Sequence, residues 1–271
     1  GDWSSDVCSS DLQAVLKPLQ LPPGISAQEL PGMVQLQVEK DLPFRRHEAA
    51  IDFTIETNAQ PRATPSSSPS DSDTQTDPEP GVDVLVAAVQ QTVVEHYRLI
   101  AQSAGVKLLR LGLRPYANYR CAALCNLGAG AESIALLHVT ADQTQIDVLG
   151  RGALLFSRAT TTRITTEVSG QSQSVNAIAT EATRSLRSLR AMDPTADVKR
   201  VFVAGCTGVE ASLAQELARQ LSVPAELFDP TTALDLPVHS ANSCFITALG
   251  LGIGQLGDAI APFRSEEHTS E

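Results

Sequence analysis

Alternating apolar and polar positions divide the chain into short strands and amphipathic helices. Over 26–42, Leu30, Met33, Val34 and Val38 recur at helical spacing. Ser26 and Glu29 precede them at the spacing of a capping box, in which each side chain satisfies the other's backbone N–H. Pro31 moves the expected helix start past it, and Pro43 ends the helix at Leu42. Ile51, Phe53 and Ile55 then alternate with Asp52, Thr54 and Glu56, which predicts a strand with one wet face. The unbroken apolar run of 82–89, VDVLVAAV, predicts a buried strand. Residues 92–105 predict a helix with Val93, Tyr97 and Ile100 on one face and Gly105 as its stop. VKLLRLGL (106–113) reads as another strand, and RPYANYR (114–120) as a short helix or turn.

The second half is more regular. CAALCNLG (121–128), SIALLHVT (133–140), QIDVLG (145–150) and GALLFSRAT (152–160) read as four short strands. Residues 174–192 predict a helix with Ile178, Ala182, Leu186 and Leu189 inward and Arg184, Arg187 and Arg190 on a solvated flank. A strand (198–205), a helix (208–222), a strand (224–229) and a closing apolar helix (241–256) follow. That order predicts an α/β layer with a mixed sheet.

Composition changes this picture in three places. GDWSSDVCSSDL (1–12) and RSEEHTSE (264–271) resemble translated sequencing-adapter read-through, and we exclude both as non-native flanks. The Pro/Ser/Asp-rich tract 59–81 holds no aliphatic residue larger than alanine, so it predicts a disordered acidic loop between two strands. The formal net charge of −11 resides largely in these segments, and what remains has no basic face for nucleic acid. No apolar run is long enough to span a membrane. Of five cysteines, Cys121 and Cys125 stand four apart while Cys206 and Cys244 stand alone; with no CxxC pair, reduced thiols are expected and no metal site.

Two glycine-rich stretches carry the candidate chemistry. Asn126, Gly128, Ala129 and Gly130 follow an apolar run, but a strand and not a helix comes next, and a third glycine is missing. A dinucleotide fingerprint is thereby excluded. A strand–turn–strand hairpin remains, either phosphate-facing through its backbone N–H groups or an ordinary turn. Gly205, Cys206, Thr207 and Gly208 lie between a strand and a helix, where small residues admit a flat ring and the helix N-terminus favours anions. A plain turn needing positive φ is the alternative. Arg158, closing a hairpin, is a candidate phosphate contact.

The order of these pieces resembles the PilM family, actin-like cytoplasmic proteins of type IV pilus assembly. QVEKDLPF (37–44), residues 84–111, NLGAGAESIAL, GRGALLFSRATT (150–161), VFVAGCTGVEASL and ALGLGIGQL (248–256) carry the likeness. It implies an actin-like ATPase (RNase H-like) fold of mixed sheets with flanking helices in two lobes. Residues 13–113 would be an incomplete first lobe with an inserted subdomain, and 114–263 the second lobe. It implies docking of the cytoplasmic tail of a PilN-type inner-membrane protein, contact with the pilus motor ATPases, a peripheral cytoplasmic location, and room for self-association. It also implies ATP and Mg²⁺ in a complete protein, bound at Asn126, Gly128, Ala129, Gly130 and Gly205, Cys206, Thr207, Gly208. Asn126 replaces the family's aspartate, Cys206 replaces a glycine, and no first phosphate loop is present, so a degenerate site is expected. The alternatives are an active ATPase or sugar-kinase-like enzyme, or a cell-division or type II secretion scaffold of the same fold.

Overall fold

The computed structural model describes residues 14–55, 81–128, 130, 132–165, 168–237 and 242–253. Both flanks, most of the acidic tract and Ala129 lie outside them. Two sheets organise the described residues. A small antiparallel sheet comprises β1 (Ala14–Leu21), β2 (Ala49–Ile55) and β3 (Val82–Gln90) in the order β1-β3-β2. A larger one comprises β4 (Ser133–Val139), β5 (Thr144–Gly150), β6 (Ala153–Thr160), β7 (Val198–Gly205) and β8 (Ala225–Leu227) in the order β6-β5-β4-β7-β8. The first three strands of the larger sheet form an antiparallel meander, and β7 and β8 add in parallel.

The side-chain period of two sends alternate residues of the larger sheet to opposite helix layers. Ala135, Leu137 and Val139 of β4, Ile146 and Val148 of β5 and Val201 and Val203 of β7 face one layer. That layer is α4 (Val168–Met192) and α5 (Glu210–Leu221), which contribute Ile178, Ala182, Leu186, Leu189, Leu213 and Leu217. Ile134, Leu136, Phe202 and Ala204 face the other layer, with Tyr116, Cys121 and Ala122 of α3 (Arg114–Leu124) and Ile246 of α6 (Ile246–Ile253). This three-layer arrangement gives the mixed α/β fold expected from the element order. The four inward residues named for α4 are buried as expected.

β3 reads as a continuous apolar run because both its faces are covered. Val84 and Val86 pack on Leu30, Val34 and Val38 of α1 (Leu30–Val38), while Leu85 and Ala87 join the core beneath α3. The Ser26–Glu29 box forms, with Glu29 Nα donating to Ser26 Oγ at 3.3 Å and Ser26 Nα donating to Glu29 Oε2 at 3.2 Å. It closes the turn before α1, and Pro31 sits inside the helix's first turn, where a missing N–H costs little. Beyond Val38 the helix tightens to a 3-10 turn, Glu39–Asp41, before Pro43.

Four expectations need correction. The face of β2 that carries Thr54 is not wet: Thr54 sits opposite Leu85 and is buried. CAALCNLG is not a strand, since its first four residues complete α3. Residues 106–113 form no strand; they pair with neither sheet, and Val106, Leu109 and Leu111 are exposed. The expected inward face of α2 (Gln91–Ser103) is also largely open: Val93 is half-buried, Tyr97 and Ile100 are each about half exposed, and of the whole helix only Ala101 is buried. Both misreadings have one cause. Periodicity reports an apolar face, but burial requires a second surface, and none among the described residues covers this one.

Candidate functional site

The first glycine stretch turns out to be a helix stop. Asn126 adopts φ 58° and Gly128 φ 72° directly after α3. Asn126 Nα donates to the Ala123 carbonyl at 2.9 Å and Leu127 Nα to the Ala122 carbonyl at 2.9 Å. This is a Schellman motif, with asparagine at the left-handed position that few other residues tolerate. α2 ends in the same way at Gly105, with Gly105 Nα bonded to the Gln102 carbonyl and Val106 Nα to the Ala101 carbonyl. Gly128 and Gly130 then lie against the end of β5, where their carbonyls accept from Gly152 Nα at 3.1 Å and Arg151 Nα at 3.3 Å.

The second stretch occupies the opposite end of the sheet. β4 begins at Ser133, next to Gly130, and ends at Val139, which pairs with Gly205. Six residue steps of strand put the two stretches about 20 Å apart. The structure therefore does not bring Asn126, Gly128 and Gly130 together with Gly205, Cys206, Thr207 and Gly208. The hairpin that faces 205–208 is β4–β5, through its Thr140–Gln143 turn, which neither glycine content nor a phosphate-loop pattern marks. It is closed by Thr140 Nα and Oγ1 donating to the Gln143 carbonyl at 2.9 and 2.8 Å, and Arg114 Nη1 donates to Gln143 Oε1 at 2.8 Å.

At this end β4 has an antiparallel neighbour on one side and a parallel one on the other, a position where open α/β sheets commonly bind ligands. Gly205 is required there. Its φ is 149°, and a Cβ would meet the Val139 carbonyl and Glu210 Oε1, each at 2.6 Å. The N–H groups of the turn, however, already have an anion. Glu210, at the start of α5 and 8% exposed, accepts from Thr207 Nα at 2.6 Å, Thr207 Oγ1 at 2.7 Å and Gly208 Nα at 2.8 Å. The helix N-terminus favours that charge, as anticipated, but the charge comes from the chain itself. A buried carboxylate thus holds the Thr207 and Gly208 N–H donors that a phosphate at this turn would need.

The expectation of lone thiols at 206 and 244 is also overturned. Cys206 and Cys244 form a disulfide, with Cα atoms 5.2 Å apart. A sequence separation of 38 hid the pairing from the sequence. Cys121 and Cys125 remain thiols.

Behind the site lies a buried polar chain that sequence reasoning missed. Asp147, fully buried on β5, accepts from Asn118 Nδ2 at 3.0 Å, Gln145 Nε2 at 3.0 Å and Ser157 Oγ at 2.8 Å. Asn118 Oδ1 accepts from Thr247 Oγ1 of α6 at 2.7 Å, and that hydroxyl lies 3.3 Å from His138 Nδ1. Burial pushes the Asp147 carboxyl up to about 7, against the pull of its three donors. Burial likewise pulls the His138 imidazole down to about 4, with the nearby Arg114 charge acting in the same direction. A lone Asp in QIDVLG gives no sign of this; only the alternation that turns 145, 147 and 149 toward α3 could have.

The arginines are committed within the fold. Arg158 faces α4, where it pairs with Glu181 at 3.1 Å and donates to Ser185 Oγ at 3.4 Å. A surface groove of about 460 Å³ is lined by Thr180, Thr183, Arg184, Arg187, Arg219 and Gln220. Arg184 and Arg219 pair with Glu181 and Glu216 there, and Arg187 donates to the Gln220 carbonyl in the last turn of α5. Arg190 pairs with Asp197. Arg184, Arg187 and Arg190 thus form the solvated flank their spacing predicts.

The family model of the type IV pilus assembly protein PilM matches residues 7–163, more than half of the chain. The chain belongs to this PilM family. Among solved structures, it is similar to a PilM–PilN type IV pilus biogenesis complex, with TM-score 0.70 and 20% identity over 92% of this chain and 78% of that one. That likeness shows a shared fold. Two remoter likenesses carry no argument of their own. One is a protein of actin-like ATPase fold and unknown function from Bacteroides thetaiotaomicron (TM-score 0.39, 10% identity, 83% of this chain and 70% of that). The other is MreB 5 of Spiroplasma citri bound to AMPPNP (TM-score 0.41, 11% identity, 62% and 65%). No helix among the described residues of this PilM-family chain is long and apolar enough to cross a membrane.

Proposed function

We propose that this PilM-family protein is a non-catalytic cytoplasmic scaffold of pilus assembly that binds the tail of a PilN-type inner-membrane protein. The observation that carries the non-catalytic reading is Glu210, whose carboxylate fills the N–H cradle of the 205–208 turn. A phosphate brought there meets a like charge and no free donors from Thr207 or Gly208. The expected result is that the protein neither binds a fluorescent ATP analogue saturably nor releases phosphate from Mg²⁺–ATP. Stoichiometric binding, or turnover abolished by substitution at Gly205, would overturn this reading.

The fold shared with a PilM–PilN complex supports the partner. The small sheet narrows where the tail can dock. VDVLVAAV is central, paired on both sides by β1 and β2, so its edge is not available. The outer edge of β2 is unpaired among the described residues, and Ile55 at its end is 45% exposed. An extended tail can add there as a further strand through main-chain hydrogen bonds. In a pull-down, an immobilised PilN-type tail peptide retains the chain, and Ile55→Pro, which removes an edge donor, retains it about tenfold less. Failure of the peptide to retain the wild-type chain argues against the partner, whereas equal retention of Ile55→Pro argues only against this edge. Peripheral placement beneath the inner membrane, contact with motor ATPases and self-association belong to the same reading and follow the tail partner.

A further inference from the structure

Two segments distant in sequence meet at the carboxyl ends of β4 and β7. One is the 205–208 turn; the other is the 3-10 turn Asn242–Phe245 that leads directly into α6. The Cys206–Cys244 bond joins them. Ser243 joins them again, since its Oγ accepts from Gly205 Nα at 3.1 Å and donates to the Phe228 carbonyl at 2.7 Å. Cys206 is exposed and Cys244 half-buried, so one sulfur of the bond is open to attack from solvent. Cys121 and Cys125, at the end of α3, are not joined by a bond and are hydrogen-bonded thiols. An accessible bond between two otherwise separate segments, in a chain that keeps its other described cysteines as thiols, has the placement of a labile disulfide and not of a buried staple.

We propose that Cys206–Cys244 is a reversible, thiol-responsive clasp that fixes the glycine turn to the head of α6. A thiolate of an external dithiol attacks Cys206 Sγ; the new S–S bond forms as the Cys206–Cys244 bond breaks, and Cys244 leaves as a thiolate and takes up a proton. The second thiol of the reductant then attacks the mixed disulfide and releases Cys206, which is protonated in turn. The protein gains two electrons and two protons, and the dithiol becomes a disulfide. The turn keeps its own shape through Glu210, while Ser243 and the packing of Ile246 against β7 remain at the joint to α6. α6 carries the change onward, because Thr247 holds Asn118 and Gly250 abuts Ala117 of α3. This inference stands whether or not the tail of a PilN-type protein binds.

The test uses the full chain with dithiothreitol as the dithiol. N-ethylmaleimide labelling with peptide mapping is run before and after reduction, and amide hydrogen exchange is followed in both states. After equilibration with oxidised glutathione, Cys206 and Cys244 resist labelling and appear in one linked peptide. After dithiothreitol both label, and exchange over 243–250 rises about tenfold or more, with a smaller rise at 207–208. Cys206→Ser exchanges like the reduced wild type with or without dithiothreitol. Labelling of both cysteines in the oxidised sample overturns the bond. Identical exchange in the two wild-type states overturns the clasp, even if the variant fails to fold.

Discussion

Gly250→Ala destabilises the protein by about 3 kcal/mol, the upper end of the usual cost of overpacking a core. Gly250 is buried in α6, and a Cβ there would lie 1.8 Å from the Ala117 carbonyl oxygen and 2.6 Å from its carbon. The obstacle is the backbone of α3, which cannot rotate aside as a side chain would. Relief requires α6 to move away, and that movement also strains the Thr247–Asn118 hydrogen bond and opens the core around Ile246 and Tyr116. Gly252 in the same helix is the control, since it is exposed and a Cβ there meets nothing within 4 Å. Gly252→Ala gains up to about 1 kcal/mol from reduced backbone entropy. Urea denaturation of the two variants yields midpoints that move in opposite directions. Equal shifts would mean that α6 does not approach α3 so closely.

The second large effect is a pH dependence centred on Asp147. Its carboxyl is raised from the usual 3.8 to about 7 in the folded state, so between those values the folded chain binds the extra proton. Stability from this group is present below the unfolded value and is lost as pH rises toward 7, on the order of 4 kcal/mol in all. His138 works in the other sense. Its folded value of about 4 lies below the usual 6.5, so its contribution is complete above 6.5 and is lost as pH falls toward 4. The two slopes oppose each other between 4 and 6.5 and leave the wild type with a flat profile there, followed by a decline toward 7. Asp147→Asn removes one slope and leaves the other. Its stability relative to wild type, measured by urea denaturation in a pH series, climbs steadily from pH 4 to 7. A constant difference across that range would show that Asp147 titrates normally.

Much of the fold was legible because its segments satisfy themselves locally. The α4 stripe of Ile178, Ala182, Leu186 and Leu189 and the Ser26–Glu29 box each report a surface that the fold buries or a turn that it closes. The two glycine stretches show where such reading stops. Asn126 and Gly128 have the composition of a phosphate turn, yet they serve as a helix cap, because left-handed backbone is needed for both purposes and composition records only that need. What distinguishes them is whether the preceding CAAL is strand or helix, and its small apolar residues suit either. The 205–208 turn was correctly placed between strand and helix, with Gly205 at a close approach. Its internal carboxylate was not read, although Glu210 stands three residues after Thr207, the same reciprocal spacing recognised at Ser26–Glu29. The Cys206–Cys244 pair and the Asp147–Asn118–Thr247–His138 chain depend on tertiary proximity alone, and nothing along the sequence announces them.

Tyr97, Leu99 and Ile100 of α2, with Val106, Leu109 and Leu111 beyond it, give the chain an oily flank beside an otherwise acidic molecule. Contiguous apolar area of this kind has adhesive character. Outside the two flanks and the acidic tract the net charge is only about −3, so the mutual repulsion between copies is modest even at low ionic strength. Salt shortens the reach of that repulsion to about 8 Å at physiological strength, without weakening the oily contact. At such ionic strength the flank is therefore a surface that selects for company, and whatever covers it is favoured by every apolar side chain it removes from water.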